Sequence, residues 1–437
     1  MSSSFRQIRF LIFKAMLRMT GMKGADMCGS SYRQAIIKVK LMAQAWMAVF
    51  GFICVVLIIS LPTRASTNIP TNATFVYVTD FLSGRVLMEK QKDAPMKPAS
   101  MAKIMTAYIV FDRIAEGTLA LTDQFIVSEK AWKMGGSRSF LQAGRSYSLD
   151  ELLHGVIVQS GNDAAVVIAE GISGTEDNFA AEMNMTAAKL GMKNTTFTNS
   201  TGWPDPELTT TAHDLALLST AIIKNFPADK FPELYPIFKK KTYTLNGIKQ
   251  GNRNPLLYGK SSQSKGVDGL KTGYTSESGY GLVASAERGG QRVIMVLNGM
   301  NSKKERSAES RRLLDFIFRE YKNYEFFKSG EIIDKAEVWL GDAHHVSLVL
   351  ENGFSKVLSR AERAKTELRL NWAGPVAAPI SKGQQIGELI VTIDSTVTDR
   401  LPLLAAEDVG QLGMLDRIGE ALKYLIFGAP VIAPPEK

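Results

Sequence analysis

Residues 73–115 read ATFVYVTDFLSGRVLMEKQKDAPMKPASMAKIMTAYIVFDRIA, and two periodicities within them decide the fold class. The runs 73–79 and 85–88 alternate apolar and polar positions around Ser83-Gly84, which predicts a β-hairpin. From Met101 to about Ala115 the apolar residues recur at helical spacing, with Pro95 and Pro98 placed ahead of them. Working outward, helices are predicted over 149–159, 164–171, 175–190 and 212–224. Strand character returns at 280–287 and 292–298, and 305–321 reads as a long amphipathic helix. Strands at both ends of a helical middle predict an α/β (α+β) domain, a sheet flanked by helices whose terminal strands pair.

The texture changes after residue 325. Short alternating runs at 336–340, 346–350, 367–371, 385–393 and 399–405 are separated by Gly341, Gly353, Gly374 and Gly383. They predict a small all-β domain over 326–408, after a first domain over 66–325. Further on, Leu415, Ile418, Leu422 and Leu425 share one helical face, opposite Asp416, Arg417, Glu420 and Lys423. An amphipathic helix is therefore expected within 409–428, followed by a tail over 429–437.

The chain has 437 residues, 45% hydrophobic and 22% charged, which excludes a disordered or disulfide-scaffold protein. Its formal charge of +9 would suggest nucleic acid if it were spread over the molecule. It is not spread. Residues 1–65 hold nine Lys and Arg and one acid, Asp26, so they carry +8 and the other 372 residues +1. The uncharged run 41–63 and the small residues Thr63 and Ala65 make this segment read as a secretory signal peptide. An uncleaved membrane anchor is the alternative, with Met27 or Met42 as alternative starts. Either way the protein is expected to be exported, to the periplasm or the outer face of the cytoplasmic membrane, with no nucleic-acid partner.

Both cysteines, Cys28 and Cys54, fall in the leader, so no thiol nucleophile is expected beyond it. The four histidines are His154, His213, His344 and His345, too few and scattered for a metal centre; no cofactor is expected. The search for a nucleophile therefore turns to serine with an unusual base. Ser-x-x-Lys occurs at Ser100–Lys103 and at Ser262–Lys265. At the first, a helix start puts Lys103 one turn after Ser100 on the same face. A neutral amine there can take the serine proton, and burial or neighbouring cations would lower its pKa enough. An ordinary N-cap serine is the competing reading. Ser262 lies in a Gly-, Ser- and Lys-rich loop without helical spacing and is treated as a decoy. Two further clusters, Ser160-Gly161-Asn162 and Lys271-Thr272-Gly273, sit at the edges of predicted elements, where all three can converge on one cleft.

Ser-x-x-Lys, Ser-x-Asn and Lys-Thr-Gly in this order resemble the penicilloyl serine transferase superfamily, with its β-lactamase/transpeptidase-like fold. Segments such as PASMAKIMTAYIV, GVIVQSGNDAAVVIAE, LGMKNTTFTNSTG and VDGLKTGYT extend the likeness to the low-molecular-mass penicillin-binding proteins that are D-alanyl-D-alanine carboxypeptidases. The resemblance implies peptidoglycan stem peptides as substrate, β-lactams as inhibitors and docking of the C-terminal helix on the cytoplasmic membrane. It implies Ser100 as the acylated nucleophile, Lys103 as its base, and Ser160 and Asn162 as proton relay and substrate holder. Lys271 would polarise that network, and Thr272 and Gly273 would line the substrate carboxylate. Backbone N–H groups of Ser100 and Tyr274 would form the oxyanion hole. Arg306 and Arg253 stand where the family places an arginine near the carboxylate. Many relatives carry His where this chain has Tyr274. Alternatives are a class A-like β-lactamase, using Asp205 or Glu207 of the Trp203–Leu208 loop, and a non-catalytic cell-wall binding protein. Neighbouring His213 and Asp214 read as a helix-surface pair.

Overall fold

The computed structural model describes residues 69–259 and 265–419. The predicted leader, Ser262 and the terminal amphipathic helix beyond residue 419 lie outside them. The expected hairpin is formed by β1 (Phe75–Asp80) and β2 (Val86–Lys90). It joins β3 (Val267–Thr275), β4 (Gly279–Arg288) and β5 (Gln291–Met300) in one antiparallel sheet of order β2-β1-β5-β4-β3. The two ends of this region therefore share a sheet, with Val78 opposite Met295.

Side chains of a strand alternate between faces, and here both faces are covered. Ile294 and Val296 of β5 enter one core, while Val293, Met295 and Leu297 enter another. The first core lies under α1 (Lys103–Ala115), α2 (Leu149–His154), α3 (Asn162–Ser173), α4 (Glu176–Lys189) and α5 (Ala212–Asn225). The second is closed by Leu313, Leu314 and Ile317 of α6 (Lys303–Glu320). Each large apolar side chain buried there contributes about 1.5–3 kcal/mol. Helix starts follow their polar caps: the side chains of Ser148, Thr175, Thr211 and Ser302 each accept a backbone N–H of the first turn.

The helix expected over 149–159 is not uniform. It runs as an α-helix to His154, widens into a π-helical turn over Gly155–Gln159, and ends at left-handed Ser160 (φ 64°). Wide turns of this kind re-aim a side chain at a functional position. Lys271-Thr272-Gly273 lies inside β3 rather than ahead of a strand. A hairpin over Thr242–Leu245 and Ile248–Gly251 turns at Asn246-Gly247, both at positive φ. That dipeptide is a strong hairpin signal which the sequence reading passed over.

Strand Tyr321–Phe327 begins directly after α6 and pairs with Phe354–Ser359. Six further strands, between Ile332 and Ala405, form one sheet around Ala336, Val346, Leu348, Leu389, Val391 and Leu403. The Arg85 guanidinium, beside β2, donates to the Val357 carbonyl and the Glu362 carboxylate, tying this region to the first sheet. Residues 414–419 are helical, and no helix among the described residues is long and apolar enough to cross a membrane.

Candidate active site

Ser100 stands in a 3-10 turn, Ala99–Ala102, that runs into α1. Its hydroxyl caps neither helix: Pro98 and Ala102 hold the cap positions, without side-chain bonds. The N-cap reading of Ser100 is thereby removed. Lys103, the first residue of α1, is only 1% exposed.

Three oxygens surround the Lys103 amine. Nζ lies 2.6 Å from the Thr201 carbonyl, 2.7 Å from Asn162 Oδ1 and 3.2 Å from Ser100 Oγ. The carbonyl and the amide oxygen only accept, so each consumes one N–H. A neutral amine has two N–H groups and one lone pair, and the lone pair is left facing the Ser100 hydroxyl. Burial, then the Arg253 cation, push the amine down to about 7, against the opposing pull of Asp163 and Glu176. The group is thus poised as a base near neutral pH.

Each acceptor is itself fixed. Asn162 opens α3; its Nδ2 donates to the Gly135 carbonyl (2.8 Å) and its backbone N–H to Ser137 (2.7 Å). The neighbouring Asp163 carboxylate is buried and accepts from the N–H groups of Ser139, Leu141 and Ala164. The Thr201 carbonyl is held by a loop in which Asn199 Oδ1 accepts from the N–H groups of Thr201, Gly202 and Trp203. Sequence reasoning did not single out Asn199, Thr201 or Asp163. Their signal was an Asx-type turn before Gly202 and an acid beside the Ser-x-Asn triplet.

The Lys271 amine, 3% exposed, donates to Ser160 Oγ at 2.8 Å and to the Thr272 carbonyl at 3.1 Å. Burial, with Lys103, Arg253 and Arg306 adding to it, holds Lys271 well below the usual lysine range. Two glycines let these parts meet. A Cβ on Gly273 would stand 2.8 Å from the Pro98 carbonyl oxygen, so only glycine lets β3 lie against the Ser100 turn. Gly202 (φ +76°) presses on the same turn, where a Cβ would fall 1.8 Å from the Ala99 carbonyl oxygen.

Residues 63–303 match the family model described as D-alanyl-D-alanine carboxypeptidase, and 321–411 match that of the penicillin-binding protein 5 C-terminal domain. The chain belongs to the D-alanyl-D-alanine carboxypeptidase family. It is 35% identical over 363 residues to the D-alanyl-D-alanine carboxypeptidase DacA of Haemophilus influenzae, covering 82% of this chain and 90% of that one. The crystal structure of penicillin-binding protein 5 from the same organism superposes with a TM-score of 0.63 at 34% identity, covering 78% of this chain and 99% of that one. Penicillin-binding protein D2 of Listeria monocytogenes, in its ampicillin-bound form, gives 0.51 at 30% identity over 57% of this chain and 99% of its own. The fold is that of penicillin-binding protein 5, with its all-β C-terminal domain, and the enzyme is a serine-type peptidase.

The remaining candidates of this carboxypeptidase fall into two groups. Arg306, in the first turn of α6, is buried; its guanidinium lies 5.7 Å from the Tyr280 ring centre and its Nη1 3.4 Å from the Gly281 carbonyl. Tyr274, at the end of the Lys-Thr-Gly segment, stacks on Tyr280 with ring centres 4.1 Å apart. Arg253 donates to Ser137 Oγ (2.5 Å), on the loop that also holds Asn162. The structure thus gathers Ser100, Lys103, Ser160, Asn162, Lys271, Thr272, Gly273, Tyr274, Arg253 and Arg306 into one contiguous, cationic region. His213 and Asp214 part company: His213 Nδ1 is 3.0 Å from Asp93 Oδ1, while buried Asp214 accepts from Asn194 N–H and Thr195 Oγ1. Asp205 accepts from Glu207 N–H, and Glu207 is exposed. His344 and His345 are exposed in the β domain.

Proposed function

We propose that this carboxypeptidase releases the terminal D-Ala of peptidoglycan stem pentapeptides through an ester formed on Ser100. The observation that carries the reading is the buried Lys103 amine, held by the Asn162 and Thr201 oxygens 3.2 Å from Ser100 Oγ, so that in its neutral form the lone pair is left for the Ser100 hydroxyl. Ser100 Oγ attacks the carbonyl carbon of the penultimate D-Ala while its proton passes to Lys103 Nζ. A positioned base of this kind is worth about 10²–10⁴ in rate. The backbone N–H groups of Ser100 and Tyr274 receive the developing oxyanion, a contribution of about 10²–10³. Collapse breaks the C–N bond, and the proton held on Lys103 passes to the leaving amine by way of Ser160, whose hydroxyl accepts from the Lys271 amine, which leaves Lys103 neutral again. Water then cleaves the ester, with the proton again taken by Lys103. Thr272 and the cations Arg253 and Arg306 hold the terminal carboxylate.

A β-lactam presents an acyl carbon in a strained amide to the same nucleophile, so it acylates Ser100 as well. The basic, apolar leader and the amphipathic pattern of 414–427 support action outside the cytoplasm, with the C-terminal helix lying on the membrane surface. Release of free D-Ala from diacetyl-Lys-D-Ala-D-Ala tests the reading. The wild type is expected to release one equivalent per peptide and Ser100→Ala none. Rapid β-lactam turnover without D-Ala release would overturn it in favour of a β-lactamase.

A further inference from the structure

Trp203 is 44% exposed, yet nothing about its position is loose. Its N–H donates to Asn199 Oδ1 and to Thr201 Oγ1 (3.0 Å each), and its carbonyl accepts from Asn199 Nδ2 (3.1 Å). The next residue but one upstream, Thr201, is the one whose carbonyl binds the Lys103 amine. The rim of the indole rests on Gly135 and Gly136, where a Cβ would come within 3.3 and 3.0 Å of the ring. Those two residues form a shelf with no side chain in the way. The same Cβ position on Gly136 lies 2.9 Å from Asn162 Nδ2, so the ring edge runs alongside the amide that fixes the general base. The indole therefore borders the active site on its helical side, as exposed Tyr274 does on the strand side.

A large apolar ring left in water forgoes the favourable burial that its area would otherwise gain. A rigid aromatic also binds without losing rotamer freedom at that moment. We infer that Trp203 is a specificity-determining residue whose exposed indole packs against the long aliphatic side chain preceding the D-Ala-D-Ala pair. The substrate's two ends differ in polarity. Its carboxylate belongs with the cations Arg253 and Arg306, so the chain on the acyl side of the scissile bond must leave the cleft elsewhere. The Asn162–Trp203 border offers it an apolar wall. This inference rests on the function proposed above and names the part of the substrate that the site reads beyond the scissile dipeptide.

Two substrates differing only in that side chain provide the test: diacetyl-Lys-D-Ala-D-Ala and acetyl-Ala-D-Ala-D-Ala. Trp203→Ala and Trp203→Leu are compared with the wild type, Leu keeping apolar bulk against the glycine shelf. In Trp203→Ala the KM for the Lys peptide is expected to rise about tenfold, with kcat held. For the Ala peptide it should stay within twofold, and Trp203→Leu should fall between for the Lys peptide alone. Equal losses for both peptides, carried in kcat, would make Trp203 a buttress of the Lys103 loop and overturn the inference. Unchanged kinetics for both would overturn it too. Failure of the wild type to release D-Ala from either peptide would instead strike the proposed function.

Discussion

Lys103 Nζ and Asn162 Oδ1 are 2.7 Å apart in a region closed to solvent, and this contact occupies one N–H of the amine. With the Thr201 carbonyl taking the second N–H, the amine presents its basic side to Ser100 only while it is neutral. Replacing Lys103 by Arg keeps a cation but removes the base. Acylation by penicillin and D-Ala release are both expected to fall by at least about 10²–10⁴, with the fold retained by circular dichroism.

The pH profile follows from the same group. Lys103 is lowered to about 7, so its neutral, active form grows as pH rises through 7 and is lost below it. The acylation rate should rise about tenfold per unit well below pH 7, bend over near 7 and level off by about pH 8. Arg253 is the second cause of that lowering, so Arg253→Gln should move the rising limb to higher pH. Stopped-flow penicillin acylation between pH 5 and 9 checks both statements, because the β-lactam reports the limb without D-Ala turnover.

Gly202→Ala is expected to be more damaging than its size suggests. The added methyl meets the Ala99 carbonyl at the base of the Ser100 turn, and φ +76° is unfavourable for alanine. The left-handed conformation alone costs about 1–2 kcal/mol, and the clash must displace the turn. The prediction is a lowered melting temperature together with slower acylation; full acylation with only the melting point changed would show that the turn tolerates the shift.

Asp163→Ala removes the acceptor for three buried N–H groups, those of Ser139, Leu141 and Ala164. Leaving buried donors unpaired costs about 1–3 kcal/mol each. Thermal unfolding should show a loss of at least a few kcal/mol. Asp163→Asn, which keeps one acceptor oxygen, should recover part of it.

Periodicity made the architecture legible because both faces of the sheet are buried. An unbroken apolar run such as Val293–Leu297 has few other uses, and the terminal hairpin then has one edge to join. The Ser-x-x-Lys spacing was legible for the same local reason: a helix start puts position four beside position one. What stayed hidden depends on contacts across the chain. Thr201 reaches Lys103 through a backbone carbonyl, which no side-chain identity announces. Gly273 matters because Pro98 is opposite it, 175 positions earlier in the sequence. The widening of the helix ahead of Ser160 leaves no mark on apolar spacing, since Gly155–Gln159 is buried all round.

Acylation of Ser100 is the step on which the proposed reaction turns. Intact-mass and peptide mass spectrometry of the protein after brief exposure to penicillin tests it most directly. One adduct is expected, mapping to the peptide that contains Ser100 and absent from Ser100→Ala. An adduct retained in Ser100→Ala, or mapped to Ser160 or Ser262, would contradict the account.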